Sequence, residues 1–187
     1  MFINVIVDIS GSMEEMGKIH LQWNLCRFIR ELAILDSKTY SGTIFQIFQW
    51  NSSITELEIK DNGDIATKSP HGVSDLAVLS NMLETHLDAS RELKVLVLSD
   101  GHFGDSMLNA FKVWVKRHAD LSIRVVAIGA DANTHRLKKM STNNDVYSPE
   151  DISAAIASMT QPLSVDNNPP TNLDQILVPG SHAGLEN

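Results

Sequence analysis

Phe2-Ile3-Asn4-Val5-Ile6-Val7-Asp8-Ile9-Ser10-Gly11-Ser12 carries the decisive reading of this 187-residue chain. A short β-branched run closing on an aspartate reads as a buried parallel strand that delivers its last side chain to the strand's carboxyl end. In open α/β sheets that is where ligands bind. Ser10 and Ser12 follow on a turn held tight by Gly11, so both hydroxyls can point at one place. One carboxylate and two hydroxyls are hard oxygen donors, a set that suits magnesium or manganese.

Outward from this stretch, apolar spacing predicts alternating helices and strands. Glu14 to Leu35 reads as a helix with Leu21, Leu25, Phe28, Leu32 and Leu35 on one buried stripe. Ile44 to Trp50 and Ile54 to Ile59 flank Asn51-Ser52-Ser53 as an antiparallel hairpin, whose half-polar second arm suits a sheet edge. A helix over Asp75 to Leu87 turns Leu76, Leu79, Leu83 and Leu87 inward, and Leu93 to Leu98 is the next buried strand. Asp105 to Ala119 reads as a helix capped by Asp105 or Ser106, followed by a strand over Ile123 to Ile128. A short helix from Thr134 to Met140, a brief strand near Asp145-Val146-Tyr147 and a helix from Glu150 to Met159 complete the pattern. The fold class this predicts is α/β: a doubly wound, mostly parallel sheet with one antiparallel edge strand and helices on both faces. Residues 1–160 form the domain, and 161–187, rich in proline and polar residues, read as a flexible tail or linker.

Composition narrows the function classes. With 43% hydrophobic and 20% charged residues the chain suits one globular domain. A net charge of −8, with no basic cluster beyond Lys116-Arg117 and Lys138-Lys139, argues against nucleic acid or an anionic membrane as partner. No apolar run approaches the roughly 18 residues of a membrane span, and the sequence as given shows no secretion signal. The single cysteine, Cys26, excludes an internal disulfide and, inside a helix, reads as a packed core residue. A reducing, cytoplasmic setting is the expectation.

Two later segments strengthen the opening one. His71-Gly72-Val73-Ser74-Asp75-Leu76 is a glycine loop entering a helix with a hydroxyl at its start, and Leu96-Val97-Leu98-Ser99-Asp100-Gly101 is a buried strand ending on aspartate and a turn glycine. In a doubly wound sheet the first and fourth strands are neighbours at the switch point, so Asp8 and Asp100 converge there, with Ser74 entering from the adjacent helix start. Asp75 reads as an N-terminal helix charge. His71 and His102 read as surface loop residues, and Trp23, Trp50 and Trp114 as packing.

On Asp8, Ser10, Ser12, Ser74 and Asp100-Gly101 the chain resembles a von Willebrand factor A (VWA) domain with its metal-ion-dependent adhesion site, over about residues 1–160. That family's pattern is D-x-S-x-S, then a threonine in a glycine-rich loop, then aspartate-glycine after the fourth strand. Here Ser74 stands in the threonine position, keeping the oxygen and losing the methyl that restricts rotation. The resemblance implies a magnesium or manganese ion with Ser10, Ser12 and Ser74 as direct ligands and Asp8 and Asp100 as direct or water-mediated ones. It implies a binding module, not an enzyme, that recognises an Asp or Glu of a partner protein. The chain looks more similar to intracellular bacterial VWA proteins than to integrin or collagen-binding ones, with those linked to tellurium-resistance-type or kinase–phosphatase operons nearest in size; the family as a whole also serves as a partner of AAA+ ATPases.

Two other classes remain open at this stage. A metal-dependent phosphatase or hydrolase on a Rossmann-like sheet also begins with a strand ending in aspartate, but it needs a second aspartate where Ser10 stands, and a lysine for which the sequence offers no evident candidate. A VWA scaffold with an empty metal site is the third reading.

Overall fold

The alternation of buried runs and amphipathic segments builds a three-layer arrangement. In the computed structural model, described over residues 1–160 except 37, 59, 61–63, 67 and 88–91, four strands run parallel: β1 (Phe2–Asp8), β2 (Ile44–Trp50), β4 (Leu93–Ser99) and β5 (Leu121–Ala127). β3 (Ile54–Glu56) returns antiparallel to β2 and closes one edge, so the order is β3-β2-β1-β4-β5. The helices are α1 (Lys18–Leu35), α2 (Leu76–Leu87), α3 (Asp105–Val115), α4 (Thr134–Met140) and α5 (Ile152–Thr160). None of the helices in the described residues is long and apolar enough to cross a membrane.

The strand period of two divides the core. Ile3, Val5 and Val7 of β1 pack with Leu96 and Leu98 of β4 against Trp23, Cys26 and Ile29 of α1 and Ala155 and Ile156 of α5. Ile6, Val95 and Val97 point the other way, onto Leu76, Leu79 and Leu83 of α2, Leu108 and Phe111 of α3, and Leu137 of α4. Because β1 has β2 on one side and β4 on the other, the connections leave it in opposite directions. The crevice this opens lies beyond the carboxyl ends of β1 and β4, above Asp8 and Asp100.

Several boundaries differ from the sequence reading, each for a local reason. The first helix does not start at Glu14. Gly11–Gly17 is a 3-10 segment broken at Glu15 and Met16, and Gly17, at φ 72°, lets the chain turn into α1 in a left-handed conformation. The buried face of α1 is also rotated: Lys18, Gln22, Trp23, Leu25, Cys26 and Ile29 are buried, whereas Phe28 is 43% and Leu35 80% exposed. Two polar residues lie on this face because acceptors await them: the Gln22 side chain donates to the Leu98 carbonyl at 2.9 Å, and Lys18 reaches Asp100 just beyond the end of β4. Gly104, without a side-chain cap, precedes α3, which ends at Val115. The strand expected near Tyr147 is a single parallel bridge to Val126. Residue 59 of the hairpin arm and the segment 161–187 lie outside the described residues.

Candidate metal-binding site

Asp8 is the last residue of a central strand and has no exposed surface. Its carboxylate is held by four donor contacts. The Ser10 backbone N–H donates to Oδ1 at 2.9 Å, the Ser74 hydroxyl reaches Oδ1 at 3.0 Å and Oδ2 at 2.9 Å, and the Ser99 hydroxyl donates to Oδ2 at 2.6 Å. Among the described residues no lysine or arginine pairs with it. Burial therefore dominates and raises its pKa above 3.8, although the bonds from Ser99, Ser10 and Ser74 oppose the shift. A Ser74 hydroxyl that spends its one proton on Asp8 keeps its lone pairs for a cation. The Ser10 and Ser12 hydroxyls stand 3.2 Å apart on the adjoining turn.

Asp100, also fully buried, has a different environment. Its Oδ2 accepts from the Lys18 ammonium at 2.9 Å, and its Oδ1 accepts from the His102 backbone N–H at 3.2 Å. The same ammonium donates to Asp131 Oδ2 at 2.7 Å and to the Ser12 carbonyl at 3.1 Å, which ties Asp100 to the serine turn. Burial works against the Lys18 charge, but the bonds to Asp131 and Asp100 outweigh it and hold its pKa above 10.5. The Lys18 bond in turn lowers Asp131 below 3.8. His102 Nδ1 lies 3.4 Å from Asp100 Oδ2, and Asp100, His102 and Asp131 each offer a ligand atom, all within 4.8 Å of one another.

Backbone contacts lock the loops that carry these groups. Gly11 N–H donates to the Gly72 carbonyl at 3.0 Å and His71 N–H to the Ile9 carbonyl at 2.9 Å, so the serine turn and the Ser74 loop are tied to each other. Asn51, buried in the hairpin turn, donates to the His71 carbonyl at 3.1 Å and accepts the Asp75 N–H on its own carbonyl at 3.1 Å. Asp75 then caps α2, its carboxylate accepting the Ala77 N–H at 2.8 Å. Gly101 sits at φ 76°, and a Cβ there would come within 2.9 Å of the Asn133 carbonyl oxygen and the Leu137 side chain. The turn after β4 thus requires glycine.

The structure brings Asp8, Ser10, Ser12, Ser74 and Asp100 to one crevice. It also supplies four participants that the sequence reading passed over. Ser99 lay inside the quoted motif and was read as strand. Asn51 was read as turn, Asp131 fell in the segment after the Ile123 to Ile128 strand, and Lys18 fell within the span of the first helix. The lysine that the phosphatase reading lacked is therefore present, against Asp100. Hard oxygen donors, a fully buried carboxylate without a cation of its own, and three carboxylates (Asp8, Asp100, Asp131) against one ammonium together fit a divalent cation.

No protein-family profile and no curated protein sequence matches the chain. Solved structures do. VWA2, the ArnB paralog of Sulfolobus acidocaldarius, aligns at TM-score 0.60 and 17% identity over 86% of this chain and 45% of its own length. Manganese-loaded TRAP protein of Plasmodium vivax aligns at TM-score 0.60 and 17% identity over 83% and 71%. The mussel byssus proximal thread matrix protein 1, with a zinc-occupied MIDAS motif, aligns at TM-score 0.56 and 12% identity over 85% and 45%. The chain thus spans less than half the length of the Sulfolobus and mussel proteins. In architecture, the chain has the von Willebrand factor A fold.

Proposed function

We propose that this domain is a binding module that holds magnesium or manganese at Asp8, Ser10, Ser12, Ser74 and Asp100 and captures an Asp or Glu side chain of a partner protein. The observation that carries the reading is the Asp8 carboxylate. It is fully buried, is gripped by three serines and lacks a cationic neighbour among the described residues. A divalent ion in this setting supplies a hard electrophilic position that accepts a carboxylate oxygen. Neutral hydroxyls compensate the ion's charge poorly, so the demand for an external anion stays high. Met16, 82% exposed, and Val73, 60% exposed, stand on the two loops beside the serines and give a partner apolar surface around the acidic contact. Metal-loaded relatives of the same fold support the reading. The partner we favour belongs to intracellular bacterial kinase–phosphatase signalling or to an AAA+ ATPase assembly.

Calorimetric titration with manganese tests the proposal. Binding in the micromolar to millimolar range is expected, weakened on the order of tenfold or more by Ser10→Ala, which removes one ligand. Absence of heat at millimolar metal refutes it. Lys18 beside Asp100 favours a second reading, a metal-dependent phosphatase. The serine at position 10, where that chemistry needs a second carboxylate, weighs against it. Turnover of a generic phosphate ester with magnesium, abolished in Asp8→Ala, would overturn the binding reading.

A further inference from the structure

We propose that Lys18 is a resident counter-cation that shares the Asp100 carboxylate with the metal and so weakens its charge compensation, leaving a bound ion dependent on an outside carboxylate to complete its charge. The inference rests on the metal-binding reading above and concerns the tuning of that site.

Lysine is almost never fully buried unless it is paired, and Lys18 is 1% exposed. Its three ammonium protons have three acceptors: Asp100 Oδ2, Asp131 Oδ2 and the Ser12 carbonyl. The donor capacity of the group is thereby used in full. The passage of its side chain is built into the fold as well. Gly129 lies at φ 92°, and a Cβ there would come within 2.8 Å of Lys18 Cε, 3.1 Å of Cδ and 2.8 Å of Asp131 Oδ1. Only glycine leaves room for the lysine stem to run from α1 to the end of β4.

The two buried aspartates therefore differ in availability. Asp8 meets neutral donors alone, whereas Asp100 has one oxygen on an ammonium and the other on the His102 N–H. An ion at the serines gains full charge compensation from Asp8 only, and the ammonium bound to the Ser12 carbonyl repels it. Both effects weaken metal affinity and leave the ion more electrophilic. Metal and carboxylate then bind with positive coupling, each tightening the other. Asp131, at 35% side-chain exposure, anchors the ammonium from the surface side.

The test is titration of manganese into the wild-type domain and into Lys18→Met, Lys18→Gln and Lys18→Arg, with and without saturating acetate. Loss of the charge in Lys18→Met and Lys18→Gln should tighten manganese binding on the order of 10- to 100-fold. It should also shrink the acetate-induced tightening seen in the wild type. Lys18→Arg should stay near the wild type. A merely structural lysine would give weaker binding on removal, never tighter. Lys18→Gln retains hydrogen-bond donors and so serves if the methionine variant fails to fold. Manganese affinity that is unchanged or weaker in folded Lys18→Gln, with the wild type binding, overturns this inference and leaves the metal site standing. No binding in any of the four proteins overturns the metal site itself, and this inference with it. Binding in the two neutral variants, with none in the wild type even at saturating acetate, also overturns the inference, because the native site would then hold no metal.

Discussion

Replacing Ser99 with alanine removes two buried hydrogen bonds at once. The Ser99 hydroxyl donates to Asp8 Oδ2 at 2.6 Å and accepts the Gly101 N–H at 3.0 Å, and Ser99 and Asp8 have no exposed surface. A hydrogen bond to a charged group contributes about 1.5–3 kcal/mol, and a buried N–H left without a partner costs about 1–3 kcal/mol. Local relaxation recovers part of this, so the expected loss is about 3 kcal/mol. For a domain of this size each kcal/mol moves the midpoint by about 2–4 °C, which makes Tm fall by about 6–12 °C. Urea unfolding followed by circular dichroism, in chelated buffer, measures the loss directly. The hydroxyl occupies little volume, so a cavity contributes little and the effect reports the two bonds. A destabilisation below about 0.5 kcal/mol would refute the reasoning, because it would mean that Asp8 and Gly101 find other partners at no cost. The same variant bears on function, since Ser99 fixes the carboxylate on which the metal reading depends.

Further outcomes follow from the burial of Asp8 and Cys26. Burial raises the Asp8 pKa above 3.8, so the folded chain binds this proton more tightly than the unfolded chain. The contribution favours folding below the unfolded pKa and is lost as pH rises through the raised value. In metal-free buffer the stability of the wild type relative to Asp8→Asn should therefore decline as pH increases from 4 through that window. Millimolar manganese should restore it. Parallel thermal-melt profiles for the two proteins across pH would contradict the assignment. Burial pushes the Cys26 thiol up to about 12. Iodoacetamide at pH 8 should leave it unmodified in the native domain and label it once urea unfolds the chain, and mass spectrometry distinguishes the two. Fast labelling of the native protein would be inconsistent with the packing of α1 on the sheet.

The local signals in this sequence were sufficient for architecture. Apolar runs at Phe2–Asp8, Ile44–Trp50 and Leu93–Ser99, punctuated by turn residues and spaced by helical periods, predict a parallel sheet with one hairpin edge, and the structure has that sheet. Asp8, Ser10, Ser12, Ser74 and Asp100 were legible for the same reason. Each sits at the end of a strand or the start of a helix, where residue type and position suffice to suggest a role.

The phase of α1 and the charge state of the crevice were not legible in this way. A hydrophobic-periodicity reading takes leucines and phenylalanine as the inner face and assigns lysine to solvent. Lys18 contradicts it because its two carboxylate partners lie 82 and 113 residues further along the chain, after other strands. Burying a charge is unfavourable unless acceptors surround it, and no local window of sequence contains those two carboxylates. The sequence by itself determined the sheet and picked out five oxygen-bearing residues that the fold gathers at one crevice, because strand periodicity and turn chemistry are local. Only the tertiary structure decided which buried carboxylate is paired with an ammonium and which meets neutral donors alone, because that depends on groups that meet through folding.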